Sequence, residues 1–398
     1  MSDERDQIKA IFSRPRNPDA SPDASPRPDA SPDAGPQRVV SPGEGPASTR
    51  LRFPDLAAPA YEHPADAAAM AALRRVPGFD ALLRRFVGAI GERRLRYLYL
   101  ASAVRVSERQ FRDVHRVFRE SCEILDLPRT PELYVSQNPI VNAGAIGIDE
   151  PFVVLNSATL ELYTPDELRF VIGHELGHIL SEHVLYKTML RLLLQIGLGR
   201  VGLPGLAILG VVAALKEWDR KSELSADRAG LLCLQDAEAA DRVLMKMAGG
   251  PQVEQMDTAE FARQADEYER GGDLRDGALK LLNLLWLSHP FPVLRLAELR
   301  RYVASGAYDQ VLRGEYTRRV DLATARVVDD WKAGAQSYRD RMAESEDPLA
   351  AFLRDLGTGM SDVGAVLKEK WASIRGGGAS PPPADEAPPK TPRGDGET

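Results

Sequence analysis

The stretch TPDELRFVIGHELGHIL, residues 164 to 180, decides how this chain is read. Thr164 can cap a helix, Pro165 suits the first helical position, and Glu167 stands three residues after the cap. A helix is therefore expected to start here and to run through Phe170 to Tyr186. Val171, Ile172, Leu176, Ile179 and Leu180 make it apolar nearly all round, so its two histidines and its glutamate are buried polar groups in need of partners. His174 and His178 are four residues apart and lie about 40° apart on one face, where both imidazoles can converge on one ion. Glu175, one step on, flanks that ion. Zinc suits two imidazoles and a carboxylate with one position left for water, which a neighbouring carboxylate can deprotonate as it attacks a peptide carbonyl. The bland alternative is two packed histidines satisfied by ordinary hydrogen bonds.

A third ligand is sought by elimination. His183 lies nine positions beyond His174, on the opposite side of a continuing helix at about 100° per residue, and is set aside. The extended metzincin pattern fails because Ser181 and Val184 stand where it needs glycine and histidine. Downstream, WDRKSELSADRAGLL (218 to 232) reads as a second helix with Glu223 and Asp227 on one face. Glu223 is expected to bind zinc, and Asp227 to accept a hydrogen bond from His174 and fix its tautomer. A solvated acidic face beside Arg220, Lys221 and Arg228 is the alternative.

HELGH followed by ELSAD resembles the HtpX-type and CAAX prenyl protease family of zinc metallopeptidases, gluzincins of metallopeptidase family forty-eight. NPIVNAGAIG (138 to 147), PFVVLNSATLELYTPDEL (151 to 168) and SHPFPVLR (288 to 295) extend the resemblance over about Glu132 to Tyr302. It implies that Asn142 and Ala143 bind substrate backbone, that His289 stabilises the tetrahedral oxyanion, and that Arg295 orients that site. On the residues alone, His289 is a histidine between the apolar LLNLLWL and a Pro-rich turn, for which helix capping is the alternative. Family members that process prenylated substrates carry several convincing membrane spans, so CAAX processing is not expected here.

The rest of the 398-residue chain sets limits. A net charge of -7 provides no basic stripe for phosphates, which argues against nucleic acid as a partner. Cys122 and Cys233 are too few for a disulfide framework, and the first residues lack an apolar h-region, so a cytoplasmic location is expected. From Leu192 to Leu215 the only charge is Arg200, but Pro204 and Gly205 interrupt the run. The expectation is a buried or membrane-surface-attached helical hairpin at 192–215, with a true span as the alternative. His115 reads as an ordinary surface or packed residue.

The expected organisation is a disordered Pro/Ala/Asp/Ser-rich segment at 1–50, helices at 66–130, a gluzincin catalytic domain at 131–305, C-terminal helices at 306–375 and a disordered tail at 376–398. An apolar stripe at 347–374 falls among the C-terminal helices; it reads as a docking face, with plain packing as the favoured alternative. The fold class is α+β, mainly helical: a zincin-like domain with a small antiparallel sheet whose edge strand, around Phe152 to Asn156, could pair with an extended peptide. The expected function is zinc-dependent endoproteolysis of protein or peptide substrates with one zinc per chain, with protein quality control as one setting. A zinc-binding but proteolytically weak chaperone-like protein, or a membrane-surface adaptor, is the alternative. Sequence leaves the oligomeric state open.

Overall fold

The computed structural model describes residues 36–40, 49–74, 92–196, 205–270 and 291–323, together with Val76, Phe79, Leu82, Leu83 and Phe86. All of them belong to the compact unit Met1–Arg354; the other unit, Asp355–Thr398, lies outside the described residues. The described part begins with strands β1 (Gln37–Val40) and β2 (Thr49–Arg52), then helices α1 (Pro64–Leu73) and α2 (Glu92–Ser102), strand β3 (Val104–Arg105) and helix α3 (Arg112–Ile124). Strands β4 (Leu133–Ser136), β5 (Ala143–Ile146) and β6 (Phe152–Asn156) follow, then helices α4 (Ser157–Leu162), α5 (Pro165–Leu180), α6 (Val184–Ile196) and α7 (Gly205–Leu234). Helices α8 (Ala237–Gly249), α9 (Thr258–Arg270), α10 (Pro292–Ala304) and α11 (Ala307–Leu312) complete the described part. The fold is therefore α+β and mainly helical.

Strands β3 to β6 form one sheet in the order β3-β4-β6-β5. It is mixed, not antiparallel throughout: β4 and β6 run parallel, while β5 pairs antiparallel with β6 and β3 with β4. The reason is the path of the chain. After β4 it passes to the far side of the future β6, forms β5 there, and returns between the two. The free edge on that side is β5, Ala143–Ile146, and the Phe152–Asn156 strand expected at the edge is interior. Alternation sends Leu133, Val135, Val153 and Leu155 into the main core, and Tyr134, Ile146, Phe152 and Val154 toward Leu95 and Tyr99 of α2. With both faces covered, these strands read as nearly continuous apolar runs.

Helix α5 lies at the centre of the main core, and every residue from Glu167 to His178 is buried. Its start is the capping box read from the sequence: Thr164 Oγ1 accepts from the Glu167 N–H, and Glu167 Oε2 accepts from the Thr164 N–H. Its principal neighbour is α7, and the approach is close enough to require glycine. A Cβ at Gly177 would stand 2.5 Å from the Cβ of Ala229, and one at Gly173 2.6 Å from the Cβ of Cys233.

Helix α5 ends at Leu180, short of the expected Tyr186. Ser181 terminates it, Glu182 adopts a left-handed backbone (φ 57°), and the His183 N–H returns to the His178 carbonyl. A new helix, α6, starts at Val184, so the 100° rule does not carry through to His183.

Three further expectations meet the structure differently. Part of 1–50 is ordered: β1 and β2 form an antiparallel pair, with Arg50 donating to the Leu234 carbonyl and to Asp166. The β-branched and apolar residues of QRVV and TRLR suffice for two short strands, the second tied through Arg50 to the end of α7. The 192–215 run is divided between α6 and α7, with 197–204 outside the described residues. Its described parts contribute to a second core: Leu193, Val211, Val212, Ala214 and Leu215 are buried with Leu73, Phe79, Phe86, Met189 and Trp218. Among the described residues no helix is long and apolar enough to cross a membrane. His289 and the 347–374 stripe lie outside the described residues.

Candidate metal centre

Helices α5 and α7 bring His174, His178 and Glu223 together, all buried, with one potential ligand atom of each lying within 4.8 Å of the others. His174 Nε2 is 3.4 Å from Glu223 Oε2, and His178 Nε2 is 3.3 Å from Glu223 Oε1. The two rings stand nearly perpendicular with centroids 4.8 Å apart. The edge of a coordination tetrahedron with metal–ligand bonds of about 2.05 Å is about 3.3 Å, so the nitrogen–oxygen spacings match a zinc-sized ion. His178 Nε2 is buried without a hydrogen-bond partner. Two imidazoles and a carboxylate are also the donor chemistry that zinc prefers, and the residues present therefore fit a metal.

Charge points the same way. Asp219, Glu223 and Asp227 cluster against two cations, Lys187 and Arg295, which leaves a net negative charge before Glu175 is counted. Lys187 Nζ donates to Asp219 Oδ1 (2.7 Å) and Glu223 Oε1 (2.5 Å). Arg295 forks over Asp227, with Nε to Oδ2 at 2.8 Å and Nη2 to Oδ1 at 2.5 Å, and lies 3.5 Å from Glu223 Oε2. Burial works against a proton on His174, but Glu223 and Asp227 overcome it and push its pKa up to about 9. Burial, with Lys187 nearby, holds His178 well below the usual imidazole range. The centre thus attracts one cation in the absence of a metal. Burial would raise the Glu223 carboxyl, yet Lys187 and His174 hold it well below the ordinary carboxylate range.

The imidazoles are held from behind. His174 Nδ1 lies 2.9 Å from Asp227 Oδ1, the geometry in which the ring donates to the carboxylate and leaves Nε2 free as a ligand. His178 Nδ1 lies 3.1 Å from His183 Nδ1, and His183 Nε2 lies 3.1 Å from Asp66 Oδ2. Glu175 is buried at the mouth of β5, where its Oε2 accepts from the Ala145 N–H at 2.7 Å. Asn142 Oδ1 accepts from the Ala143 N–H at 2.9 Å, and the Asn142 backbone is tied to Thr159 in both directions. Arg295, expected to orient an oxyanion site, meets Asp227 and Glu223, and so braces the ligand side of the centre.

Sequence reading missed Lys187, His183 and Asp66. A signal existed for Lys187, one of only two charges, with Arg191, in the otherwise mostly apolar stretch VLYKTMLRLLL (184 to 194). Asp66 carried none, because it is 108 positions from His174 and reaches the centre only through tertiary packing.

A model of peptidase family M48 matches residues 108–303, which include strands β4 to β6 and all three candidate ligands. The chain is 34% identical over 272 residues to the plastoglobule-localized metallopeptidase 48, chloroplastic, of Arabidopsis thaliana, covering 66% of this chain and 78% of that protein. It is 43% identical over 68 residues to a protease HtpX homolog of Helicobacter pylori, covering 17% of this chain and 22% of that protein. A protease HtpX homolog of Syntrophobacter fumaroxidans is 25% identical over 173 residues, 36% of this chain and 61% of that protein. No solved structure matches. A relative aligned along most of its own length, together with a family model laid over the helices that carry His174, His178 and Glu223, establishes that the chain belongs to peptidase family M48 and is a metalloprotease.

Proposed function

We propose that the protein is a zinc endopeptidase in which His174, His178 and Glu223 hold the ion and Glu175 is the general base. The observation that carries this reading is the 3.3 to 3.4 Å spacing of two imidazole nitrogens around one buried carboxylate, with a second carboxylate adjoining in sequence. A bound zinc would polarise the scissile carbonyl and lower the pKa of a water to about 7. Glu175 takes a proton from the attacking water and delivers it to the leaving amine. Its hydrogen bond from the Ala145 N–H fixes the carboxylate between β5 and the ligand helix, so the base is aimed before substrate arrives.

The outward N–H groups of β5 supply the substrate register. Ala145 donates to Glu175 and Ala143 to the Asn142 side chain, neither bonding toward β6. An extended peptide pairing with this edge would present a carbonyl to the Ala143 N–H in place of Asn142 Oδ1. Strand pairing reads main chain more than side chain, which supports endoproteolysis of unfolded segments. His289 is retained as the oxyanion donor on the family resemblance. Arg295 is assigned to holding Asp227 and Glu223.

The placement of Glu175 argues against the binding-protein alternative, since a purely structural zinc site has no use for a second buried carboxylate beside the ion. We infer a cytoplasmic enzyme from two buried cysteines that are not joined in a disulfide and from the burial of Val211 to Leu215 within its own core. Flotation with liposomes would overturn the latter inference in favour of surface attachment. The test of the main reading is cleavage of a denatured protein by zinc-replete wild type beside Glu175→Gln, with fragments identified by mass spectrometry. Internal cuts by wild type and none by a mutant that still holds zinc are expected. Zinc-bound wild type that cuts no denatured substrate would overturn it.

A further inference from the structure

Helix α1 lies outside residues 108–303, the part matched by the family model, yet it reaches the metal centre. Asp66 occupies its third position, after the His63 cap, whose Nδ1 accepts from the Ala65 N–H. Asp66 is 2 % exposed; among the described residues its partners are His183 Nε2 at 3.1 Å and the Ser225 hydroxyl at 2.6 Å, with the Trp218 indole also bearing on the carboxylate. Ser225 in turn accepts from the His63 N–H. His183 is 4 % exposed, wedged between His178 and the edge of Trp218, and its Nδ1 faces His178 Nδ1 at 3.1 Å.

Only one arrangement of protons satisfies this row while His178 ligates through Nε2. His178 then carries its hydrogen on Nδ1 and donates it to His183 Nδ1, which must be bare. His183 consequently carries its hydrogen on Nε2 and donates it to Asp66. The charge of Asp66 specifies both tautomers in sequence, as Asp227 does directly for His174. The two ligand imidazoles are thus held by carboxylates from two directions, one carboxylate four residues along α7 and the other delivered by α1.

We propose that Asp66 and His183 are positioning residues for His178, so that the N-terminal helix is an integral part of the metal centre. The inference rests on the assignment of His174, His178 and Glu223 as the ligands. Outer partners of ligand histidines typically contribute a factor of about 10 to 100 in metal affinity. A merely structural Asp66 would lower the stability of the metal-free chain without changing the affinity of the chain that remains folded.

The test uses the full chain and Zn2+ as the probe. The zinc dissociation constant is measured by competition with a chromophoric chelator, beside the visible spectrum of the Co2+-substituted protein and the Tm of the metal-free protein. His183→Leu and Asp66→Ala are expected to weaken zinc about 10- to 100-fold and to alter the Co2+ bands. His183→Gln restores an acceptor for His178 Nδ1 and is expected to stay within about threefold of wild type. Asp66→Asn retains the volume, loses the charge and falls between; it serves where Asp66→Ala does not fold. Zinc affinity unchanged in His183→Leu and Asp66→Asn, or His183→Gln as weak as His183→Leu, would overturn the proposal. Glu223→Ala separates the two readings. If it binds zinc as wild type does, the ligand assignment itself fails and this inference with it; if it loses zinc while the Asp66 variants do not, only the inference fails.

Discussion

Replacing Gly177 by alanine tests the geometry that creates the centre. In an exposed helix this change stabilises by about 1 kcal/mol, because glycine gives up more backbone freedom than alanine. Here the new Cβ would stand 2.5 Å from the Cβ of Ala229, and 3.4 Å from the Ala226 Cα. Ordinary carbon–carbon contact is about 3.5 to 4.0 Å, so α5 and α7 must separate by about 1 Å. Neither atom is the end of a flexible side chain, which places the overpacking penalty in the upper part of its range, about 2 to 3 kcal/mol. Set against the helix-propensity gain, the net loss is about 1 to 2 kcal/mol. The same displacement widens the 3.3 and 3.4 Å spacings between the α5 imidazoles and Glu223, so zinc affinity should fall at least tenfold. Urea denaturation of the metal-free protein reads the first effect and chelator competition the second. Adding Ala229→Gly removes the opposing Cβ and should recover zinc affinity, although a second helical glycine keeps the stability low. A Gly177→Ala protein that is more stable than wild type and binds zinc normally would refute the close approach and the account of the centre built on it.

Glu175→Gln should retain zinc and the hydrogen bond from Ala145 while losing about 10²- to 10⁴-fold in kcat, measured on a fluorogenic peptide found from the cleavage fragments; a smaller loss would mean another base. Arg295→Met should destabilise by about 3 kcal/mol in denaturant titration because it strips the buried Asp227 of its guanidinium fork and leaves only His174 against it, and Arg295→Lys should not rescue it, since a point charge cannot reproduce the fork. Zinc uptake should release about one proton per ion at pH 7, read with an indicator dye in weak buffer. The sign follows from His174, whose metal-free pKa near 9 means that it is protonated below that pH and must become neutral to ligate. Apparent affinity should therefore rise through neutral pH and level off near pH 9, and uptake without proton release would show that His174 is already neutral in the metal-free protein.

The local chemistry of the centre was legible in the sequence because a helix converts spacing into direction. His174 and His178 share a face at four residues' separation, Glu223 and Asp227 likewise, and the apolar surroundings of the histidine pair pointed to burial, whereas the charged neighbours of Glu223 and Asp227 left a solvated face open. The capping box at Thr164 and Glu167 fixed where the first of these helices starts, since it depends on neighbours three residues apart. The helix's end was not legible: Glu182 turns left-handed without glycine, and that turn brings His183 back onto His178. Sheet order was equally hidden, because strand patterns report which faces are buried and not which strand returns between two others; β5 took the edge that β6 was expected to hold. Tertiary structure alone decided that Gly177 lets two helices meet, that Lys187 and Arg295 balance the carboxylates, and that Asp66 enters from a helix outside the family's matched residues. Each depends on contacts between segments tens to more than a hundred residues apart, for which periodicity along the chain carries no information.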